Sequence, residues 1–214
     1  MSHTIPTKEE MLHAFALRHG TELQRKFTNA SVAVCGLGGL GSNIAVSLAR
    51  AGVGTLYLID FDKVDISNLN RQQYFVSQLG LDKTQALKDN LALIAPYTET
   101  ITHTVRMTED NLKELLQDAD IICEAFDKAE EKAMLVNGVL EQLPDKYLVS
   151  GCGMAGMASG NLIHTRKVTN HFYLCGDEIS DVSQNMGLFS SRVMICAAHQ
   201  AHIVLRILGG EYDA

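Results

Sequence analysis

The sequence predicts an α/β fold: a doubly wound, mostly parallel, Rossmann-like sheet with an antiparallel extension after residue 160. Three observations predict it. Short apolar, β-branched runs alternate with longer stretches of helical periodicity, the pattern of parallel strands covered on both faces. The first such run ends in a glycine-rich turn that opens a helix. Two later runs end in the acids Asp60 and Asp127, at the carboxyl ends of strands where such sheets bind ligands.

Met11, Leu12, Phe15, Leu17, Leu23 and Phe27 recur at roughly helical spacing, so residues 8–29 are expected to be one N-terminal helix. SVAVCG (31–36) is a buried strand, 41–52 a helix laid closely on it, and TLYLID (55–60) a second buried strand. Residues 60–76 are polar and turn-rich. Lys83 to Ile94 is a helix that stops before Pro96. ETITHTV (99–105) alternates as a third strand, and a short helix begins at Asn111. DIICEAFD (120–127) is a fourth strand, 129–143 a helix, and KYLVSG (146–151) a fifth strand. Glycine-rich 151–160 turns the chain, 161–168 and 171–176 form the antiparallel extension, and 190–208 close as an apolar helix. No internal repeat or long linker interrupts residues 1–214, so one domain is expected.

Of the 214 residues, 46% are hydrophobic and 20% charged, which is ordinary for a globular chain. The net charge is −7 with no strong basic run, which argues against nucleic acid as the main partner. Apolar stretches are broken well before membrane-spanning length, and the first residues carry no apolar signal core. A cytoplasmic location and no membrane partner are therefore expected. Cys35, Cys123, Cys152, Cys175 and Cys196 are scattered and form no CxxC pair. They are read as reduced, mostly buried thiols, with no zinc site.

The sharpest local signal is GLGGLGS (36–42). Gly36, Gly38 and Gly41 fit G-x-G-x-x-G directly after a strand and at the start of a helix. The first glycine permits a tight turn, the second lets a phosphate approach the backbone, and the third lets helix and strand lie close. The helix N-terminus then offers free N–H groups to phosphate. Asp60 ends the next strand, where an acid can hold ribose hydroxyls. These features alone specify an adenine nucleotide without separating NAD, FAD, S-adenosylmethionine and ATP. Asn68, Asn70, Arg71 and Gln72, in SNLNRQ, and then Lys83 follow at the ligand edge. Two cations there suit a triphosphate. Asp127 suits Mg²⁺, or a helix N-cap, or both. Glu124 is expected to point toward the same edge, whereas Glu130 and Glu131 are first-turn helix acids.

GLGGLGSNIAVSLARAGVGTLYLIDFDKVDISNLNRQ (36–72) resembles the signature of the ThiF/MoeB/ubiquitin-activating superfamily. EAFDKAEEKAMLVN (124–137), SGCGMAGMASGN (150–161) and the tail from LCGD to LRIL (174–208) resemble its short ThiF-type sulfur-carrier adenylyltransferases. The resemblance implies an ATP-dependent adenylyltransferase that activates the C-terminal carboxylate of a ThiS-like, ubiquitin-like sulfur carrier ending in Gly-Gly, in thiamine (thiazole) biosynthesis. It implies that Gly36, Gly38, Gly39, Gly41, Asp60, Asp62, Asn68, Arg71 and Lys83 bind ATP and that Asp127 binds Mg²⁺. Catalysis would fall to Arg71, Lys83 and Asp127, with an arginine from the partner subunit of a homodimer. Arg18 is the candidate for that arginine and Arg25 its rival. Residues 31–150 would be the nucleotide-binding core and 151–214 the carrier-binding part.

Two departures bear on this reading. Longer relatives carry two CxxC pairs that bind zinc, and only Cys175 falls near such a position. Several relatives carry a cysteine just before the glycine matching Gly187, where this chain has DVSQNMGL. The alternatives are a Rossmann NAD or FAD oxidoreductase, and a superfamily member that adenylates another carboxylate or carbonyl: a MoaD-like carrier, a peptide or a tRNA base.

Overall fold

A computed structural model describes residues 5–181 and 187–214. The chain begins with helices α1 (Lys8–His19) and α2 (Thr21–Thr28). A capping box starts α1: the Thr7 hydroxyl accepts from the Glu10 N–H, and the Thr7 N–H donates to the Glu10 carboxylate. The continuous helix expected over 8–29 is broken at Gly20. Its φ of 87° cannot continue a right-handed helix. The apolar spacing runs across this glycine although the two helices differ: Phe27 of α2 is buried, whereas Met11, Leu12 and Phe15 of α1 are half-buried and Leu17 is exposed.

Next come β1 (Ser31–Cys35), α3 (Gly39–Ala51), β2 (Thr55–Ile59), α4 (Lys83–Ile94), β3 (Glu99–His103), α5 (Leu112–Leu116), β4 (Ile121–Glu124) and α6 (Ala129–Gln142). β5 (Tyr147–Gly151), β6 (His164–Lys167), β7 (Phe172–Gly176) and α7 (Ser190–Gly209) complete the set. The strands form one sheet in the order β3-β2-β1-β4-β5-β7-β6. Among the described strands only β6 runs antiparallel. The expected antiparallel extension is present: β6 and β7 pair as a hairpin, and β7 joins it to the sheet by pairing with β5 in parallel. β3 and β4 stop short of their expected ends. β4 leaves the sheet after Glu124, opposite the last residue of β1, Cys35, so Asp127 lies in the loop beyond.

Successive β1 residues point to opposite faces, as strand geometry requires. Val32 and Val34 join Ile44, Leu48, Leu56, Leu58, Ile203 and Val204 on the face covered by α3 and α7. Ala33 and Cys35 join Leu112, Leu116, Ile122, Leu135 and Val139 on the other. Fully burying each large aliphatic side chain stabilises by roughly 1.5–3 kcal/mol, so two covered faces hold the sheet firmly.

Register sets the functional edge. Cys35 lies opposite Ile59 on one side and Glu124 on the other, and Glu124 lies opposite Ser150. Gly36, Asp60, Ala125 and Gly151 therefore emerge side by side. The strand order reverses direction at β1 and β4, the switch point where open α/β sheets bind ligands.

A buried ion pair closes the other end of this edge. Arg192, near the start of α7, donates to the carboxylate of Asp177, just past β7. Burial by itself raises the Asp177 carboxyl. The N–H groups of Ser180 and Ile179, the Ser180 hydroxyl and Arg192 outweigh it and hold it at about 2, below the ordinary 3.8.

Two predictions follow from this architecture. A Cβ on Gly41 would lie 1.8 Å from the Gly36 carbonyl oxygen, which is rigid backbone. Gly41→Ala should destabilise by about 3 kcal/mol or more, read as a lower urea midpoint. A carboxyl depressed by folding stabilises above its unfolded pKa and loses that contribution as pH falls through the folded value. Wild-type stability should fall between pH 3.8 and about 2 more steeply than that of Asp177→Asn, measured by denaturant midpoints across this window.

Candidate functional site

At the carboxyl edge of β1, β2, β4 and β5 lies a cavity of about 760 Å³. Gly36, Gly38, Gly39, Asp60, Asp62, Asn68, Arg71, Lys83 and Asp127 all line it. Gly36, at a φ of 88°, makes the turn out of β1, and a Cβ there would lie 2.9 Å from the Ala125 carbonyl oxygen. Gly38 caps α3 with no side-chain hydrogen bond, so the helix starts with unclaimed N–H groups facing the turn. Gly41 does not line the cavity. It sits buried within α3, where its missing side chain lets the helix lie on the strand end.

Asp60 is buried at 7% exposure. One carboxylate oxygen accepts from the Leu37 N–H at 2.6 Å and the other from the Asp62 N–H at 2.8 Å. Burial raises this carboxyl, opposed by Lys83 and by those two N–H donors. Each oxygen keeps a second lone pair for a hydroxyl.

Lys83 is buried at 5% exposure. Its ammonium donates to Asp62 at 3.0 Å, and its own N–H bonds the Asp62 carbonyl at 2.9 Å. Arg71 is held differently. Its guanidinium donates to the Ser67 carbonyl at 3.0 Å and the Asn70 side chain at 2.8 Å. Its aliphatic stem lies against Gly39, where a Cβ would come within 3.3 Å of it. Asn68 accepts from the Asp65 N–H and closes a short 3₁₀ turn.

The loop carrying Arg71 is tied to α3 by residues that the sequence reading passed over. Asn43 donates to the carbonyls of Gly39 and Arg71, at 2.6 and 3.2 Å. Gln73 donates to the side chains of Asn43 and Ser42 through its amide and its N–H. The Tyr74 hydroxyl donates to the Leu37 carbonyl. The only signal for them was adjacency, SN after the glycines and QQY after Arg71. Gln72, 8% exposed, also lines the cavity, and its buried Oε1 has no hydrogen-bond partner within the protein.

Asp127 is exposed at the cavity wall, and the N-cap of α6 is Lys128, so a capping role falls away. Glu124 does not reach the ligand edge. It is fully buried and accepts from the Phe126 N–H, the Ser150 hydroxyl at 2.5 Å and Lys132 at 2.7 Å. Lys132 lies on the cavity wall, as does Arg106, which pairs with Glu131 at 2.5 Å and sits 4.9 Å over the Phe61 ring. Neither cation had a sequence signal beyond its charge.

Arg18 is exposed in the last turn of α1 and does not line the cavity, and Arg25 pairs with Glu22 on the surface. Four cysteines are buried and Cys152 is exposed at the cavity. Burial pushes Cys175 up to about 12, and burial together with nearby acids outweighs Lys132 to raise Cys152. Met186, which precedes Gly187, lies outside the described residues. Among the described residues no helix is long and apolar enough to cross a membrane.

The chain is similar to known proteins. The chain is 36% identical over 138 residues to adenylyltransferase and sulfurtransferase MOCS3 of Caenorhabditis briggsae, covering 63% of this chain and 33% of that protein. It is 37% identical over 150 residues to tRNA threonylcarbamoyladenosine dehydratase of Bacillus subtilis, covering 68% and 58%. It thus spans about a third to somewhat over half the length of these relatives. The crystal structure of the E. coli tRNA N6-threonylcarbamoyladenosine dehydratase in complex with ATP superposes with a TM-score of 0.85 at 20% identity, covering 97% and 98%. E. coli MccB with ATP gives 0.72 at 22% identity, covering 97% and 67%. The ThiF family model matches residues 12–214, and the chain therefore belongs to the ThiF family.

Proposed function

We propose that the protein is an ATP-dependent adenylyltransferase that activates the C-terminal glycine carboxylate of a small ubiquitin-like sulfur carrier of the ThiS type. The observation that carries this reading is the convergence of Gly38, Gly39, Asp60, Arg71, Lys83 and Asp127 on one cavity. Relatives named as both adenylyltransferases and sulfurtransferases support the carrier part of it. Membership of the ThiF family sets hydride transfer aside.

In this reading the free N–H groups of α3 and the glycine backbone receive phosphate, and Asp60 receives the ribose hydroxyls. The carrier carboxylate attacks the α-phosphorus. A bond forms between carboxylate oxygen and phosphorus, the bond to the leaving pyrophosphate breaks, and carrier acyl-adenylate results. The attacking group is already ionised at neutral pH, so no general base is required. The difficulty is bringing an anion to a polyanion, and Arg71 and Lys83 supply counter-charge from fixed positions. A single carboxylate with room for phosphate oxygens and water fits Mg²⁺, which takes few protein ligands. Asp127 would hold it, and the ion would neutralise phosphate charge. A homodimer in which Arg18 enters the neighbouring site completes the proposal.

A second reading takes the carboxylate of a modified tRNA base as the acceptor. The Bacillus subtilis dehydratase favours it, and the net charge of −7 counts against a nucleic-acid acceptor. Incubation with ATP, Mg²⁺ and either Gly-Gly carriers or tRNA separates the two. Mass spectrometry should find the adenylate mass on a carrier, and its appearance on tRNA alone would overturn the carrier reading.

Arg71→Ala and Asp127→Ala should each lower carrier-dependent pyrophosphate–ATP exchange by about 10²–10³-fold, with the circular dichroism of the folded protein retained. Exchange at the wild-type rate in both would remove these residues from the mechanism. Lys83→Met should weaken ATP binding and also free Asp62, so its loss of the ATP-induced thermal shift should exceed that of Arg71→Ala.

A further inference from the structure

Arg192 does not line the cavity, yet its guanidinium holds several pieces of the cavity's far wall. The nucleotide side is built by β1, β2 and the loop to α4. The opposite wall is built by two segments, Gly151–Ala155 after β5 and Glu178–Asp181 after β7. These run together: the Asp177 N–H bonds the Gly153 carbonyl at 3.0 Å, and the Glu178 N–H bonds the Cys152 carbonyl at 3.2 Å.

One side chain ties both. Arg192 Nε donates to the Ala155 carbonyl at 3.2 Å, Nη1 to the carbonyls of Ala158 and Ser159, and Nη2 to Asp177. The other Asp177 oxygen accepts from the N–H groups of Ile179 and Ser180, at 2.9 and 2.8 Å, and from the Ser180 hydroxyl. Arg192 is 4% exposed and Asp177 6%. Glu178 then adopts a φ of 57°, uncommon for a residue with a Cβ, and is gripped from outside by Arg166 at 2.7 and 2.9 Å. A Cβ on Gly153 would meet Asp177 Oδ1 at 2.2 Å, so the wall has no room for a side chain there.

An ion pair this deep is weak evidence for added stability, because desolvation offsets much of the attraction. Its forked geometry does something that an apolar pair cannot. It fixes backbone groups at five positions (155, 158, 159, 179 and 180) relative to one helix. We propose that Arg192 and Asp177 are a positioning pair that sets the acceptor-side wall of the cavity, so that they govern entry of the carrier tail and not binding of ATP. This rests on the reading of a carrier carboxylate as the acceptor.

The test uses the full chain, a Gly-Gly carrier that the wild type adenylates, and two variants. Arg192→Lys keeps the charge and loses the fork. The double variant Arg192→Met/Asp177→Asn leaves no lone buried charge and so guards against simple misfolding. In the double variant kcat/KM for the carrier should fall by about 100-fold, mostly through KM, while the ATP Kd changes by less than about 2-fold. Arg192→Lys should recover part of the loss. Amide hydrogen exchange should rise over 152–159 and 177–180 and stay at wild-type levels in α3. Equal losses for carrier and ATP, exchange that rises throughout, or an undiminished carrier kcat/KM would each overturn the proposal. A wild type that adenylates no carrier at all would overturn the functional reading beneath it. Adenylation that is equal in wild type and variants would overturn the positioning pair alone.

Discussion

A methyl group on Gly41 would sit 1.8 Å from the Gly36 carbonyl oxygen and 3.1 Å from Val34, so α3 starts pressed against the end of β1. Much of the site inherits its position from that contact. The closeness aims the unclaimed N–H groups of the first helical turn over the strand end. It also places Ser42 and Asn43 where they can hold the following loop by its backbone and by Gln73. Arg71 rides on that loop, with its stem against Gly39. A helix standing off by the width of a methyl group would carry those N–H groups and the arginine away from Asp60 together.

The second constraint is charge. The chain is acidic, yet the cavity wall presents Lys83, Arg106, Lys128 and Lys132. Each is already paired: Lys83 with Asp62, Lys132 with Glu124, and Arg106 and Lys128 with Glu131. These acids hold the cations in place, so an anion entering the cavity would have little side-chain order left to impose. The glycine backbone and Asp60 supply shape, and the paired cations supply a field that is already oriented.

Much of this was legible in the sequence because it is local. Strands β1, β2, β4 and β5 show as β-branched apolar runs, and the glycines and Asp60 have a spacing with a mechanical reason. What was not legible depends on contacts across the chain. Gly20 breaks a helix whose apolar period runs straight through it. Glu124 reads as an acid at a ligand edge, and only the distant Lys132 and Ser150 show that it is a buried anchor. Arg192 looks like the polar stripe of an apolar helix until its partners, Ala155 to Ser159 and Asp177, are brought beneath it by β5 and β7. Lys83 reads as a phosphate ligand from its place near the loop, but nothing local shows that it is buried against Asp62.

The two halves of the cavity also differ in when they can come into being. The glycine turn, Asp60, Arg71 and Lys83 all lie within the first 83 residues, but Leu188 and Val193, which complete the wall, and Arg192 behind it come from the start of α7. Synthesis proceeds from the N-terminus at about 5–20 residues per second, so a growing chain carries the glycine turn for several seconds before the rest of the wall exists. During that interval the turn borders no enclosed space. The cavity is enclosed only once α7 has been made, so any chemistry that needs all of its walls waits for that helix.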